Sequence, residues 1–430
     1  MKRLLTVSLF YMVAACASLQ VQAQGLMFSG HGAVNRSMGG ATTGAAIESI
    51  GSLYWNPATI SQLDNQLAVD VGLLLPVLET ESSVVGLGAG ATDAEPGVGV
   101  LPAVGWTFRP ECSPLTVGLG IAPVAGFATN YPASATNPIF TPQSNAPGIP
   151  GGFGQVLTDA AFLEILPVIS VQVTDRLSVG IGPSVTIGRL IIDPLVVNAP
   201  DDTDGSGVPT YPSGRGTRNH WGGGFQIGAY YEANDVLAFG ASYKSPQWME
   251  PFRFKTEDEL GLPRSGRMDL DLPMIVSIGT SYSGMEDTLI AIDVRYIDYE
   301  HTDGFKQNGF NSDGSIAGVG WDSVLSVALG IQRKLNEMID VRAGYTANEN
   351  PIPSSQTQLA VAAPLYYQHQ GSVGATLHLS TNVDVNLAYT YAFESEISGP
   401  LATPAGPVPG SSITTSLSAH LLNFGVRVKY

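Results

Sequence analysis

The strictest constraint on the fold of this chain is a two-residue alternation of apolar with polar or small side chains. In "NVDVNLAYTYAF", every second position from Val383 to Phe393 is apolar, and Asp384, Asn386 and Thr390 lie between them. This period predicts a β-strand with one apolar face, and aromatic residues at its end favour a girdle at a membrane interface. Similar alternation occurs in "LIAIDVRYIDY" from 289, in "MIDVRAGY" from 338 and in the stretch from 420 to 430.

The connections between the strands alternate between short turns and long stretches. The short turns are "RPECSP", "VTDR", "EAND", "GMED", "KLNEM" and "STN". The long stretches lie around 77–97, 130–161, 192–219, 245–266, 301–320, 347–365 and 395–415. This pattern predicts an all-β fold, an antiparallel transmembrane β-barrel of about fourteen strands, because bacterial outer-membrane barrels have an even strand number and long loops at one end only.

The composition supports a barrel in an outer membrane. Glycine contributes 50 of the 430 residues and charged residues make up only 13%, well below the soluble average of about 25%. Beyond the amino-terminal region, no apolar run reaches the ~18 residues of a membrane helix, and only a closed barrel otherwise pairs every backbone group inside a bilayer. A soluble β-sandwich would also alternate, although seldom over segments this long.

The amino-terminal region predicts export and a plug. The basic start and the apolar run after it, closed by "VQA", predict a signal peptide over residues 1–23; a lipidated Cys16 is the alternative. Residues 24–63, the hatch segment, are rich in glycine and lack alternation, so this backbone cannot face lipid and is expected inside the barrel lumen. The barrel itself is predicted over residues 64–430.

The hatch segment and several later strands resemble those of a known transporter family. The segment contains "SMGGATTGAA" followed by Asn56-Pro57-Ala58, and "GLGIAPVAGFATNY", "LSVGIGPSV", "LAFGASYKSP" and "NFGVRVKY" follow in order. Together they resemble the FadL/TodX family, outer-membrane transporters of long-chain fatty acids and aromatic hydrocarbons. The resemblance implies a monomeric barrel with a lumenal hatch, capture of hydrophobic ligands by external loops, and lateral exit at a kink in the third strand.

Candidate site residues follow from the resemblance and from local chemistry. Asn56, Pro57 and Ala58 are expected to form a rigid hatch turn, or alternatively a helix stop before the first strand. Pro123 and Gly126 are the candidate kink, because proline removes a ladder bond and glycine permits a bulge; a harmless bend is the alternative. The candidates for the lining of a ligand pocket are the apolar residues Met27, Phe28, Tyr54 and Trp55.

Three basic residues are expected to point into the lumen by alternation. Lys244, Arg295 and Arg342 are candidates for binding a ligand carboxylate. Each could instead pair with an inward carboxylate such as Asp293, Asp340 or Asp384. The distinction bears on the ligand, because a fatty acid needs a cation for its head group and a toluene-like compound does not.

Two rival functions and the expected partners complete the analysis. A general diffusion porin is the main alternative, and an outer-membrane lipase is less favoured because the six histidines are scattered and no G-x-S-x-G occurs. The net charge of −17 disfavours nucleic acid. Hydrophobic small molecules and outer-membrane lipid or lipopolysaccharide are the expected partners. No catalytic residue, cofactor or metal site is expected; "DDTDGSG" at 201–207 lacks the final glutamate of a calcium loop.

Overall fold

The computed structural model describes residues 24–144, 146, 151–214 and 218–430. The predicted signal peptide and Cys16 lie outside these residues. Fourteen long strands form one closed antiparallel barrel. They are β1 Gln66–Val84, β2 Gly99–Phe108, β3 Leu115–Tyr131, β4 Val156–Thr174, β5 Leu177–Asp193, β6 His220–Asn234, β7 Leu237–Lys244, β8 Met274–Met285, β9 Thr288–Asp298, β10 Val324–Asn336, β11 Ile339–Asn348, β12 His369–His378, β13 Val383–Gly399 and β14 Ser412–Lys429.

The first strand closes the barrel. Each strand pairs with its neighbours in sequence, and β1 pairs with β14 on one edge, from Gln66 opposite Lys429 to Ser83 opposite Ser412. On its other edge β1 pairs with β2. The main wall therefore closes on itself through β1 and β14, and the predicted fourteen-stranded barrel is confirmed.

The two faces of the wall differ in polarity. On β1 the outward side chains from Leu67 to Val77 are apolar and exposed at every second position, as a lipid-facing strand requires. The inner face instead carries buried charged residues. They are Asp70, Glu164, Lys244, Asp293, Arg295, Asp340, Arg342, Asp384 and Arg427.

Short elements occupy the lumen and the loops. The helices are α1 Gly32–Ser37, α2 Ser49–Trp55 and α3 Thr357–Ala362, and 3-10 turns cover Pro57–Gln62, Pro138–Phe140 and Ser354–Gln356. Short strands cover Gly88–Asp93, Trp248–Met249, Phe252–Glu257, Pro263–Met268, Ala402–Thr403 and Gly406–Pro407. In the described parts of the chain, no helix is long and apolar enough to cross a membrane.

The short turns fall where the sequence predicts them, whereas three long connections are shorter than predicted. The prediction that the first long connection begins near 77 is wrong, because β1 continues to Val84. The connection predicted to end near 161 is shorter because β4 begins at Val156, and the last one is shorter because β13 reaches Gly399. All three extensions carry polar side chains on both faces, so the apolar alternation that marks a membrane-embedded strand is missing there.

Candidate functional site: hatch segment, wall gap and cavities

The hatch segment lies inside the barrel and contacts strands around its wall. Small inward residues let its backbone approach the wall closely: a Cβ at Gly105 of β2 would lie 2.6 Å from the Ile50 nitrogen, and one at Gly330 of β10 would lie 2.5 Å from the Met38 oxygen. Side chains of the wall add hydrogen bonds, as where Gln226 Nε2 donates to the Leu53 carbonyl at 2.7 Å. The segment is therefore held by both close packing and polar contacts.

The Asn56-Pro57-Ala58 turn joins the hatch segment to the wall. Asn56 Oδ1 accepts from the Ala58 amide at 3.1 Å and so caps the 3-10 turn that Pro57 begins. The side-chain nitrogen of Asn56, Nδ2, donates to the Thr43 carbonyl at 2.7 Å and to the Ala229 carbonyl of β6 at 3.0 Å. One buried side chain thus links two parts of the hatch segment to the barrel.

A buried ion pair on β9 holds the opposite part of the segment. Asp293 Oδ2 accepts from the amides of Thr42 and Thr43, each at 2.9 Å, and pairs with Arg295 at 2.9 Å. Arg295 also donates to the Ser29 carbonyl at 3.2 Å and to the Gly40 carbonyl. Because both charged side chains are fully buried, this cluster is a strong but costly attachment point.

The other two inward cations named by the sequence are also occupied. Lys244 Nζ lies 2.7 Å from Glu164 Oε2 and 3.6 Å from the centroid of the Tyr54 ring. Arg342 donates to Gln332 Oε1 and to Thr376 Oγ1, each at 2.7 Å. With Arg295 paired to Asp293, all three cations have protein partners among the described residues.

The wall is interrupted between β2 and β3. These strands pair only over residues 104–108 and 117–121. Beyond that point residues 99–103 of β2 pair with β1, and the next residues of β3 pair with β4 on their other side. The amide of Glu95 donates to the Asn130 carbonyl at 2.7 Å and closes the opening at the loop end. We call the opening between residues 99–103 and 122–129 the wall gap.

Proline and glycine mark the edges of the wall gap. Pro123 of β3 and Pro102 of β2 cannot donate a backbone hydrogen bond across it. The register of β3 against β4 shifts between Pro123 and Ala125, which is a bulge. A Cβ at Gly126 would lie 2.7 Å from the Ala160 oxygen of β4, so only glycine fits this close approach. The kink residues named by the sequence therefore border the gap.

The start of the hatch segment covers the free edge of β3. Met27 forms a bridge with Ala125, and the Phe28 amide donates to the Val124 carbonyl at 3.0 Å. On the lumenal side, this short pairing supplies some of the backbone hydrogen bonds to β3 that β2 does not make. Tyr54 and Trp55 lie elsewhere in the segment: the Tyr54 ring contacts Lys244, and the Trp55 ring centroid lies 3.5 Å from Arg295 Cζ.

Three cavities meet beside the wall gap. The loop cavity, about 470 Å³, lies among the long connections and reaches Leu26. The gap cavity, about 530 Å³, passes through the wall gap from Phe28 to the outer face. The lumenal cavity, about 80 Å³, lies between the hatch segment and the wall. The ring of Phe127 borders all three, so this residue stands at their junction.

The lumenal cavity contains a cation that sequence reasoning missed. Arg36 of α1 lines it, together with Phe28, Ser29 and the loop residue Tyr367. Burial lowers the pKa of Arg36 to about 10, which leaves the guanidinium charged at neutral pH. The available signal was a basic residue inside a segment predicted to be buried in the lumen.

Comparison with known proteins gives a family match over nearly the whole chain. The family described as "Outer membrane protein transport protein (OMPP1/FadL/TodX)" matches residues 14–430. Outer membrane protein P1 of Haemophilus influenzae is 24% identical over 224 residues, which are 50% of this chain and 48% of that protein. The match thus spans about half the length of this relative.

Solved structures with the same fold include transporters of this family. The Pseudomonas putida toluene transporter TodX aligns with a TM-score of 0.71 at 17% identity, over 94% of this chain and 99% of that one. A Pseudomonas aeruginosa FadL homologue gives 0.70 at 12% identity, and the Ralstonia pickettii toluene transporter TbuX gives 0.66 at 17%. Both cover 94% of this chain and 99% of their own. At these identities the likeness shows the shared fold.

Proposed function

The chain belongs to the OMPP1/FadL/TodX family of outer membrane transport proteins, and on that premise we propose that it takes up long-chain fatty acids or aromatic hydrocarbons and releases them sideways through the wall gap. Its place is the outer membrane, and its general role is a transport channel for hydrophobic compounds. The main support for lateral release is that the three cavities meet at the unpaired edge of β3.

Capture takes place at the loop cavity. Its lining is mainly apolar, with Leu270, Phe305 and Trp321 among its buried side chains. An apolar ligand gains about 0.8 kcal/mol for each CH₂ removed from water, so such a groove concentrates hydrophobic compounds. From there the ligand needs to move only past Phe127 to reach the other two cavities.

The hatch segment keeps the ligand from an aqueous pore. It fills the lumen, is fixed at Asn56 and at Asp293, and so blocks passage toward the end of the barrel with short turns. The gap cavity offers a dry alternative because it opens between strands whose outer faces contact lipid. A ligand that leaves through it enters the membrane without crossing water. Each barrel has a complete route, so a monomer suffices.

A pair of transport assays tests this function. In liposomes, the intact protein should give no swelling with a small sugar, whereas cells that carry it should accumulate labelled fatty acid or alkylbenzene faster than cells without it. Replacing Asn56-Pro57-Ala58 by a flexible Gly-Ser linker should permit swelling, because the hatch turn loses its cap and its wall contacts. Rapid swelling with the intact protein would instead support a general diffusion porin.

A further inference from the structure

Among the described residues, Arg36 is a buried cation whose guanidinium has no hydrogen-bond or ion-pair partner. The residue is only 7% exposed, yet its Nε has no hydrogen-bond partner. Across the described residues its guanidinium takes part in no ion pair and donates no hydrogen bond. Its one aromatic contact is with Phe28, whose ring centroid lies 5.6 Å from Arg36 Cζ. A charge left in this state is costly, which distinguishes Arg36 from the paired Lys244 and Arg295.

The nearest carboxylate is already engaged. Asp70 of β1 attracts Arg36 at a distance, but its Oδ2 accepts from the Ala33 amide at 2.8 Å and its Oδ1 accepts from Asn423 at 2.6 Å. Asp70 therefore secures α1 to the wall and leaves the Arg36 guanidinium uncovered. Among the described residues no other carboxylate pairs with Arg36, which leaves its guanidinium available to an acceptor on a bound ligand.

The residues around Arg36 indicate the chemical class of such a ligand. The polar side chains that line the lumenal cavity are those of Arg36, Ser29, Tyr367, Gln370 and Thr390, and among the described residues the buried Thr390 hydroxyl has no hydrogen-bond partner. The rest of the lining is apolar and includes Leu101, Leu417 and Leu421. A cation and an unpaired hydroxyl in a cavity whose other walls are mainly apolar match a carboxylate on an apolar body.

Building on the proposed function, we propose that Arg36 binds the carboxylate of the transported ligand, so that the substrate class is an apolar carboxylic acid such as a fatty acid. The cavity of about 80 Å³ holds the head group and the first part of the tail. It shares Phe28, Phe127 and Leu74 with the gap cavity, which is large enough for the rest. The head group is thus held in the lumen while the tail points to the exit.

The test compares an acid with its neutral counterpart on the purified full-length protein. Binding of dodecanoate and of dodecanol is measured for the wild type, Arg36→Met, Arg36→Lys and the exposed control Arg176→Met. Arg36→Met should weaken dodecanoate binding by about tenfold or more, since a charge-assisted bond to a buried group is lost. Dodecanol binding should stay unchanged, Arg36→Lys should retain part of the preference for the acid, and Arg176→Met should behave as the wild type.

Thermal stability in detergent gives an independent readout. Without ligand, Arg36→Met should melt no lower than the wild type, because it removes an uncompensated buried charge, and dodecanoate should raise the melting temperature of the wild type only. Equal loss of acid and alcohol binding, or an unchanged preference for the acid in Arg36→Met, would overturn the assignment of Arg36 while leaving the transport function intact. If the wild type bound neither compound, the proposed function would fail and this inference with it.

Discussion

The hatch segment meets the barrel differently on its two sides. Toward β9 it is fixed by the fully buried pair of Asp293 and Arg295. Asp293 accepts hydrogen bonds from two backbone amides of the segment, and Arg295 donates hydrogen bonds to two of its backbone carbonyls. Toward β3 it is held near the wall gap by one bridge at Met27 and one hydrogen bond at Phe28, and cavities lie on either side. Under the proposed lateral route this contrast separates an anchor from a gate: charges hold the hatch segment where the wall is continuous, and few contacts need to change beside the wall gap.

The largest effect is expected from breaking the anchor. Asp293→Ala leaves Arg295 buried without its carboxylate and removes the acceptor of the Thr42 and Thr43 amides. Breaking a buried pair in this way costs about 3–5 kcal/mol, which should release the hatch segment. Planar-bilayer recordings should show large, frequent openings that the wild type lacks. Glu337→Ala, which removes one partner of the exposed pair with Lys334, should leave the recordings unchanged.

A smaller loss is expected at the hatch turn. Asn56→Ala removes one acceptor and two donated hydrogen bonds, leaving the Thr43 and Ala229 carbonyls without this donor. Unsatisfied buried groups cost about 1–3 kcal/mol each, partly recovered if water enters. Hydrogen exchange should accelerate over residues 56–63 with no change across β9. The matched control Asn382→Ala lies in an exposed turn and should affect neither region; uniform acceleration throughout the barrel would contradict a local role.

On the gate side, changes at Phe127 should alter rates without loosening the anchor. Phe127→Ala joins the three cavities more widely and should speed ligand uptake, whereas Phe127→Trp narrows their junction and should slow it. Initial uptake rates of a labelled fatty acid measure both changes, and bilayer conductance should stay closed in each. Equal slowing by both substitutions would indicate that the ring only supports local packing.

The smallest effect concerns acid pH. Burial, reinforced by the positive charges of Arg36, Lys244 and Arg295, holds the pKa of His31 well below its ordinary 6.5. When the hatch segment is released, the His31 imidazole binds a proton more readily than in the docked state. The docked state therefore has its full stability above pH 6.5 and loses stability as the pH falls below that value. Channel openings should therefore become more frequent at pH 5 than at pH 7, and His31→Asn should remove this difference. A response that persists in His31→Asn would assign it to another group.

The sequence predicted the barrel well because lipid and lumen impose opposite polarity on alternate residues. It could not show that Lys244 pairs with Glu164, eighty positions away, because that contact depends on the register of strands that are not adjacent in sequence. Arg36 was missed because the hatch segment has no alternation to indicate which side chains face a cavity. The sequence named Pro123 and Gly126 as a candidate kink, but it gave no indication of Pro102, because that edge of the wall gap depends on which residues of β2 pair only with β1.

The central claim, lateral exit through the wall gap, is tested most directly by blocking the gap after folding. Ala128 lines both the gap cavity and the lumenal cavity, so Ala128→Cys in a Cys112→Ser background places a single reactive thiol there among the described residues. Modification with a bulky maleimide should abolish uptake of labelled fatty acid while ligand still binds at the loop cavity. The same reagent on Ile331→Cys, an exposed position on β10, should leave uptake unchanged. Uptake at the original rate after complete modification of Ala128→Cys would contradict the lateral route and favour a path past Asn56.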